Sequence, residues 1–212
     1  MNLSNFNFKI FLIKIIAFFM GLFIVQAGVA LFLSINIGSD PFTVFTQGLS
    51  KLLNIIPGNS NRLITFILLI LLTIFYRKVI NIGTILAMIF AGPFLDRMLN
   101  IYSSIPFEAY SFPLRIILFF VASVIIAIVF PILKAPSLGV APNDSVYLAF
   151  SELFHKPYGI VSIFIDAIFL ILGFIFGGIV GVGTIICLAS LGPIMGFFLK
   201  ILEPIISPYV NN

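Results

Sequence analysis

Apolar residues run almost unbroken through this chain, in long stretches set apart by short polar clusters. Six stretches, roughly 10–34, 62–76, 82–102, 114–133, 159–178 and 182–202, read as helices able to cross a bilayer, for which ~20 mostly apolar residues are needed. Two shorter segments break the pattern. Over 42–53, Phe42, Phe45, Leu49 and Leu52 keep helical spacing, with Thr43, Thr46, Gln47, Ser50 and Asn54 as a polar stripe opposite. Further on, Asp144, Tyr147 and Ser151 take the positions of Thr43, Thr46 and Ser50 and predict a second short, half-polar helix. Each short helix follows a Gly-x-x-Pro segment, with Gly38 and Pro41 in one and Gly139 and Pro142 in the other. Ser39 or Asp40 fits a helix cap, and a proline in the first turn loses no hydrogen bond that the helix would have made.

The two short helices belong to a repeat that covers the whole chain. IGTILAMIFAGP at 82–93 matches VGTIICLASLGP at 182–193 in Gly83/Gly183, Thr84/Thr184, Ile85/Ile185, Gly92/Gly192 and Pro93/Pro193, at an offset of 100. Upstream, an offset of 101 pairs Lys14 with Arg115, Gly38 with Gly139, Pro41 with Pro142, Ser50 with Ser151 and Gly58 with Gly159. Residues 1–106 and 107–212 are therefore expected to be two three-span repeats in one compact membrane domain. Three spans per repeat force the second to insert upside down relative to the first. The predicted fold is an all-α integral membrane protein of six transmembrane helices, arranged as two inverted three-helix repeats with one short half-polar helix each. That plan recurs in secondary transporters.

Composition agrees. The 212 residues are 61% hydrophobic and 8% charged, with a mean hydropathy of +1.27, whereas a soluble domain is about a quarter charged. The first apolar run is too long for a cleavable signal peptide and has no small-residue cleavage site after it. With the N-terminus in the cytoplasm, Lys9, Lys14, Arg77, Lys78, Lys134, Lys156 and Lys200 fall inside, and Lys51, Arg62, Arg97 and Arg115 outside. That excess predicts both termini cytoplasmic. The net charge of +4 is met by those loops and implies no nucleic acid.

Candidate chemistry is sparse. One cysteine and one histidine argue against a disulfide framework or a metal site, and no cofactor is implied. Hydrolase motifs and a Walker loop are absent, and no serine or threonine has a plausible histidine partner, so the chain is not expected to be an enzyme. The substrate-binding candidates are Gly38, Asp40, Pro41, Thr43, Gln47, Gly139, Pro142, Asn143, Asp144 and Tyr147. The alternative for these segments is a pair of amphipathic helices lying at the two membrane surfaces. Thr84, Gly92, Pro93, Thr184, Gly192 and Pro193 are candidates for a hinge or a cavity lining, because a mid-helix proline removes one backbone hydrogen bond. Asp166 stands alone among the charges between Lys156 and Lys200. An acid at that depth is costly facing lipid, so Asp166 is expected to face inward, in contact with Lys14 or with a hydroxyl or backbone group of a neighbouring helix, and Asp166 and Lys14 are the candidates for ion coupling.

GVALFLSINIGSDPFTVFTQGLS, INIGTILAMIFAGPFLD and GGIVGVGTIICLASLGP resemble the bacterial YczE/YitT-like integral membrane proteins over nearly the whole chain. The match is better to the YczE branch, since the soluble C-terminal domain of YitT has no counterpart. The resemblance implies a bacterial plasma-membrane location and little chemistry. The expected function is alternating-access transport of a small solute, with lipid as surroundings and a partner subunit or homo-oligomer allowed. The alternative is a non-transporting membrane partner, such as the substrate-binding subunit of an uptake complex or an accessory protein. A passive channel ranks third, for want of a charged ring or filter sequence.

Overall fold

The computed structural model describes residues 8–211, with side chains from residue 10 and without those of residues 207 and 209–211. Lys9, counted above on the inner side, lies outside the described side chains. The chain forms α1 (Phe8–Ile35), α2 (Pro41–Leu53), α3 (Pro57–Phe75), α4 (Ile82–Tyr102), α5 (Phe112–Lys134), α6 (Pro142–Phe154), α7 (Tyr158–Ile175) and α8 (Val182–Asn211). Single 3₁₀ turns precede α4, at Arg77–Val79, and α5, at Phe107–Ala109. Six helices, all but α2 and α6, are long and apolar enough to cross a membrane. The two exceptions have 13 residues each, about 20 Å at ~1.5 Å per residue, against a hydrocarbon core of about 30 Å.

The outward surface has the character a bilayer requires. On α3, Phe66, Ile67, Ile70, Leu71 and Ile74 are exposed, and on α7 Phe164, Ile168, Ile171, Phe174 and Ile175. Soluble monomers rarely carry apolar patches of that extent. The chain is a multi-pass membrane protein whose environment is lipid.

Two helix ends differ from the expectation. The second span begins at Pro57 and not near 62, because Gly58, Ser60 and Asn61 are buried against protein and continue the helix although their polarity reads as loop. The fifth ends at Ile175 and not at 178. Gly177 there takes φ +85°, and Gly178 passes so close to the Val44 carbonyl that a side chain would collide with it.

α1 and α5 form the centre. Gly21 lies against Leu133, and a β-carbon on Gly28 would stand 2.6 Å from Ile126 Cγ1. The Phe32 and Phe119 rings stack at 4.2 Å. Arg115 donates to the carbonyls of Ile35 and Asn36 and so caps the end of α1, a use more specific than reaching for the membrane surface. Lys134 at the end of α5 pairs with Glu203 on α8 at 2.7 Å.

The short helices are held in matching ways. Asn54 and His155 end α2 and α6 in the left-handed conformation, at φ 54° and 50°. Ser50 donates to the Ile55 carbonyl at 2.5 Å and Ser151 to that of Lys156 at 2.6 Å. These serines secure helix ends. The leads into the helices cross over: Gly183 N–H donates to Ile37 O at 2.9 Å, and Gly83 N–H to Leu138 O at 2.6 Å. Gly38 and Gly139 adopt φ +105° and +99°, each with its α-carbon facing Thr184 or Thr84 at a separation that a β-carbon would reduce to 2.5 or 2.6 Å. Only glycine combines that conformation with that approach.

Candidate functional site

Between the helices lies a cavity of ≈ 90 Å³, well above the ~10–15 Å³ needed to hold one water. Its polar lining comes from α1 (Gln26), from α2 and its lead (Asp40, Thr43), from α3 (Asn61), from α6 (Asn143, Asp144, Tyr147) and from α7 (Tyr158, Ser162, Asp166). Apolar walls are built by Phe32, Phe42, Phe130, Leu133 and Met195, among others.

The lining pairs up along the sequence. Thr43 and Asp144, Asn61 and Ser162, Val25 and Ile126, Val29 and Phe130, and Phe32 and Leu133 are each 101 positions apart, and both members of each pair face the cavity. Positions 101 apart in the sequence thus meet around one space.

Each carboxyl is held by one oxygen. Asp40 caps α2, its Oδ1 accepting from Thr43 N–H at 3.0 Å. Asp144 Oδ1 accepts from Asn143 Nδ2 at 3.1 Å. Tyr147 donates its hydroxyl to Asp166 Oδ1 at 2.6 Å. Asp166 is 8% exposed and faces inward, but its partner is Tyr147. Lys14 makes no ion pair among the described residues: α1 packs on α4 and α5, and α7 on α2 and α8, so the two helices do not lie side by side.

Of the substrate-binding candidates, the fold brings Asp40, Thr43, Asn143, Asp144 and Tyr147 to the cavity. Gly38, Pro41, Gly139 and Pro142 shape the leads and lie outside its lining. Gln47 accepts from Ile179 N–H at 2.7 Å and so ties α2 to the turn after α7. Among the hinge or lining candidates Gly192 reaches the cavity, while Thr84, Gly92, Pro93, Thr184 and Pro193 do not. Thr84 and Thr184 are fully buried at the helix starts, where Asn81 N–H and Gly181 N–H donate to their hydroxyls. Gly92 packs on Gly58, and Gly192 on Ser162. α4 and α8 continue as helix through Pro93 and Pro193.

Sequence reasoning missed Gln26, Asn61, Tyr158 and Ser162. Gln26 carried a signal, being the single amide inside the apolar run of α1. Tyr158 also borders a second hollow of ≈ 590 Å³ beside Leu148, Ser151, Leu199 and Lys200, and separates the two spaces. No cluster of three or more acidic, histidine or cysteine side chains suited to a metal ion occurs among the described residues.

Residues 12–200 match a family described as "Family of unknown function (DUF6198)". The chain belongs to that family. An uncharacterized protein of Haemophilus influenzae is 27% identical over 167 residues, covering 79% of this chain and 74% of the relative. The uncharacterized protein YyaS of Bacillus subtilis is 29% identical over 184 residues, 86% of this chain and 90% of that one. No solved structure matches.

Proposed function

We propose that this DUF6198 member is a small-solute transporter of the bacterial plasma membrane, working by alternating access around a cavity between two inverted halves. The observation that carries the reading is the lining by residues 101 apart, polar pairs such as Thr43 with Asp144 and Asn61 with Ser162 among them. A site on the axis between repeats can be exposed by rocking one half against the other.

Support for the inversion comes from the helix ends. Spans that cross in alternation put the C-terminal ends of α3 and α7 on opposite faces. Lys51, late in α2, donates to Gly177 O just past α7 at 3.0 Å. Glu152, late in α6, stands 3.9 Å from Lys78 just past α3. On that alternation, α2 and α6 end at opposite faces. The excess of Lys and Arg on one side then puts both termini in the cytoplasm. Within the family, the block at 28–50 supports kinship with the YczE branch.

Single cysteines at Ser162 or Asn61, with Cys187 replaced by serine, test the mechanism. Alternating access expects each to react with an impermeant thiol reagent from either face. A cysteine that never reacts from one of the two faces, whatever the conditions, would leave a one-sided pocket and end the transporter reading.

A further inference from the structure

Among the described residues, no lysine, arginine or histidine lines the central cavity, although three carboxyl groups do. Asp40, Asp144 and Asp166 come from the lead to α2, from α6 and from α7. Each uses Oδ1 to accept a hydrogen bond from protein. The Oδ2 of Asp40 is fully buried with no hydrogen bond among the described residues. A buried carboxylate without a compensating partner is costly.

A second, independent observation gives the sign of the missing partner. Gln26 and Asn61 are each 8% exposed and line the same cavity. Gln26 Oε1 and Asn61 Oδ1 are buried without any hydrogen bond. The fully buried, unanswered atoms of the lining residues are thus acceptors, and an ionised Asp40 Oδ2 can be answered only by a donor or a positive charge.

Aromatic rings supply the rest of the recognition. Tyr158 lies between Phe130 and Tyr147, with ring centroids 5.9 and 5.8 Å away. Ring faces attract cations, and aromatic cages hold quaternary ammonium groups in this manner. A bare metal ion fits less well, because no acidic cluster here is disposed to ligate one. The volume of ≈ 90 Å³ suits a molecule of a few heavy atoms better than a single ion.

We infer that the central cavity binds a small organic ammonium ion, with Asp40, Asp144 and Asp166 as counter-charges and the Tyr147–Tyr158–Phe130 rings as its apolar wall. The inference rests on the transporter reading for the cavity's purpose, but binding and transport are separable by experiment.

The purified full chain in lipid nanodiscs is titrated calorimetrically with choline, tetramethylammonium and ethanolammonium chlorides. The controls are sodium chloride and 3,3-dimethylbutanol, the uncharged analogue of choline. At least one ammonium should bind, with sodium and the alcohol at least tenfold weaker. Asp144→Asn, which keeps the side chain's shape, should weaken the ammonium tenfold or more, and Asp40→Asn serves as the second variant should the first fail to fold. The inference is overturned if the alcohol binds as well as choline, if sodium competes at equal affinity, if no ammonium binds, or if both folded variants bind like the parent. Radiolabelled uptake into proteoliposomes then separates the two readings. Ammonium binding without flux removes transport and leaves the cation site. Flux of an uncharged or anionic solute through the cavity, with no ammonium bound, removes the cation site and leaves transport.

Discussion

Gly92 and Gly192 are equivalent in sequence, yet a methyl group would meet different obstacles at the two positions. At Gly92 the β-carbon would stand 2.5 Å from the Gly58 carbonyl oxygen, which is backbone and cannot rotate away, so α3 and α4 would have to separate. At Gly192 the nearest obstacle is the Ser162 hydroxyl, which can turn aside, and the fixed Ser162 β-carbon follows at 2.9 Å, a milder clash than the one at Gly92. Gly92→Ala should therefore lower stability by ~1–3 kcal/mol, in the range for overpacking, and Gly192→Ala by less. Thermal melts in detergent would rank the two, and equal losses would contradict the argument. The Tyr147 hydroxyl gives a second test. Tyr147→Phe leaves Asp166 Oδ1 without its 2.6 Å donor and should cost ~1–3 kcal/mol, the usual loss when a buried acceptor is stranded. Asp166→Asn keeps an acceptor for Tyr147 and should cost less. The inward orientation of Asp166 followed from the expense of an acid in lipid, and a neighbouring hydroxyl was one of the contacts expected, but which hydroxyl did not follow. Tyr147 lies 19 positions away, across the turn between α6 and α7, and no spacing rule brings such a pair together. Lys14 looked suitable because depth was counted along single helices, without knowing which helices are neighbours.

At the scale of helices, hydrophobic runs made the six long elements readable, and the errors fell where polarity and burial part company. The residues opening α3 are polar because they face protein, and a hydropathy pattern treats any polar face as solvent. The two short helices were predicted from a half-polar stripe, but the stripe has mixed uses. Thr43 reaches the cavity, Gln47 binds the turn after α7, and Ser50 fastens its own helix end. The sides on which the elements end can be measured directly. Cysteines at Asn59 and Glu108 should react with an impermeant reagent from outside, and those at Lys78 and Leu153 only from inside. If Asn59, just past α2, and Leu153, at the end of α6, were labelled from the same side, the inverted arrangement would be excluded.

For the molecule as a whole, the two short helices are joined unequally to the long ones. α2 meets α7 through glycines: a β-carbon on Gly48 would stand 2.6 Å from Gly173 O, and one on Gly173 2.6 Å from Phe45 N. The corresponding join of α6 to the end of α3 carries the Lys78–Glu152 contact at 3.9 Å, both side chains exposed, and an exposed pair of this kind contributes ~0–1 kcal/mol. The α6 side is the easier one to open. On the transporter reading proposed above, cysteines at Lys78 and Glu152, bridged by a short bifunctional thiol reagent, should stop solute flux, and a cleavable bridge should restore it on reduction. Unchanged flux with the bridge intact would place the moving contact elsewhere.

The crossed leads also set a timetable for synthesis. Ser39 N–H donates to Thr184 Oγ1 across 145 positions, and Ile37 O waits for Gly183 N–H. At a ribosomal rate of ~5–20 residues per second, the loop before α2 stands without its partner for roughly 7–30 s. By the end of that interval α1 to α7 are already made, and the loop before α2 still lacks its partner. A chain stopped short of Val182 would remain in that condition. The helix that completes the loop before α2 is α8, made only after α1 to α7.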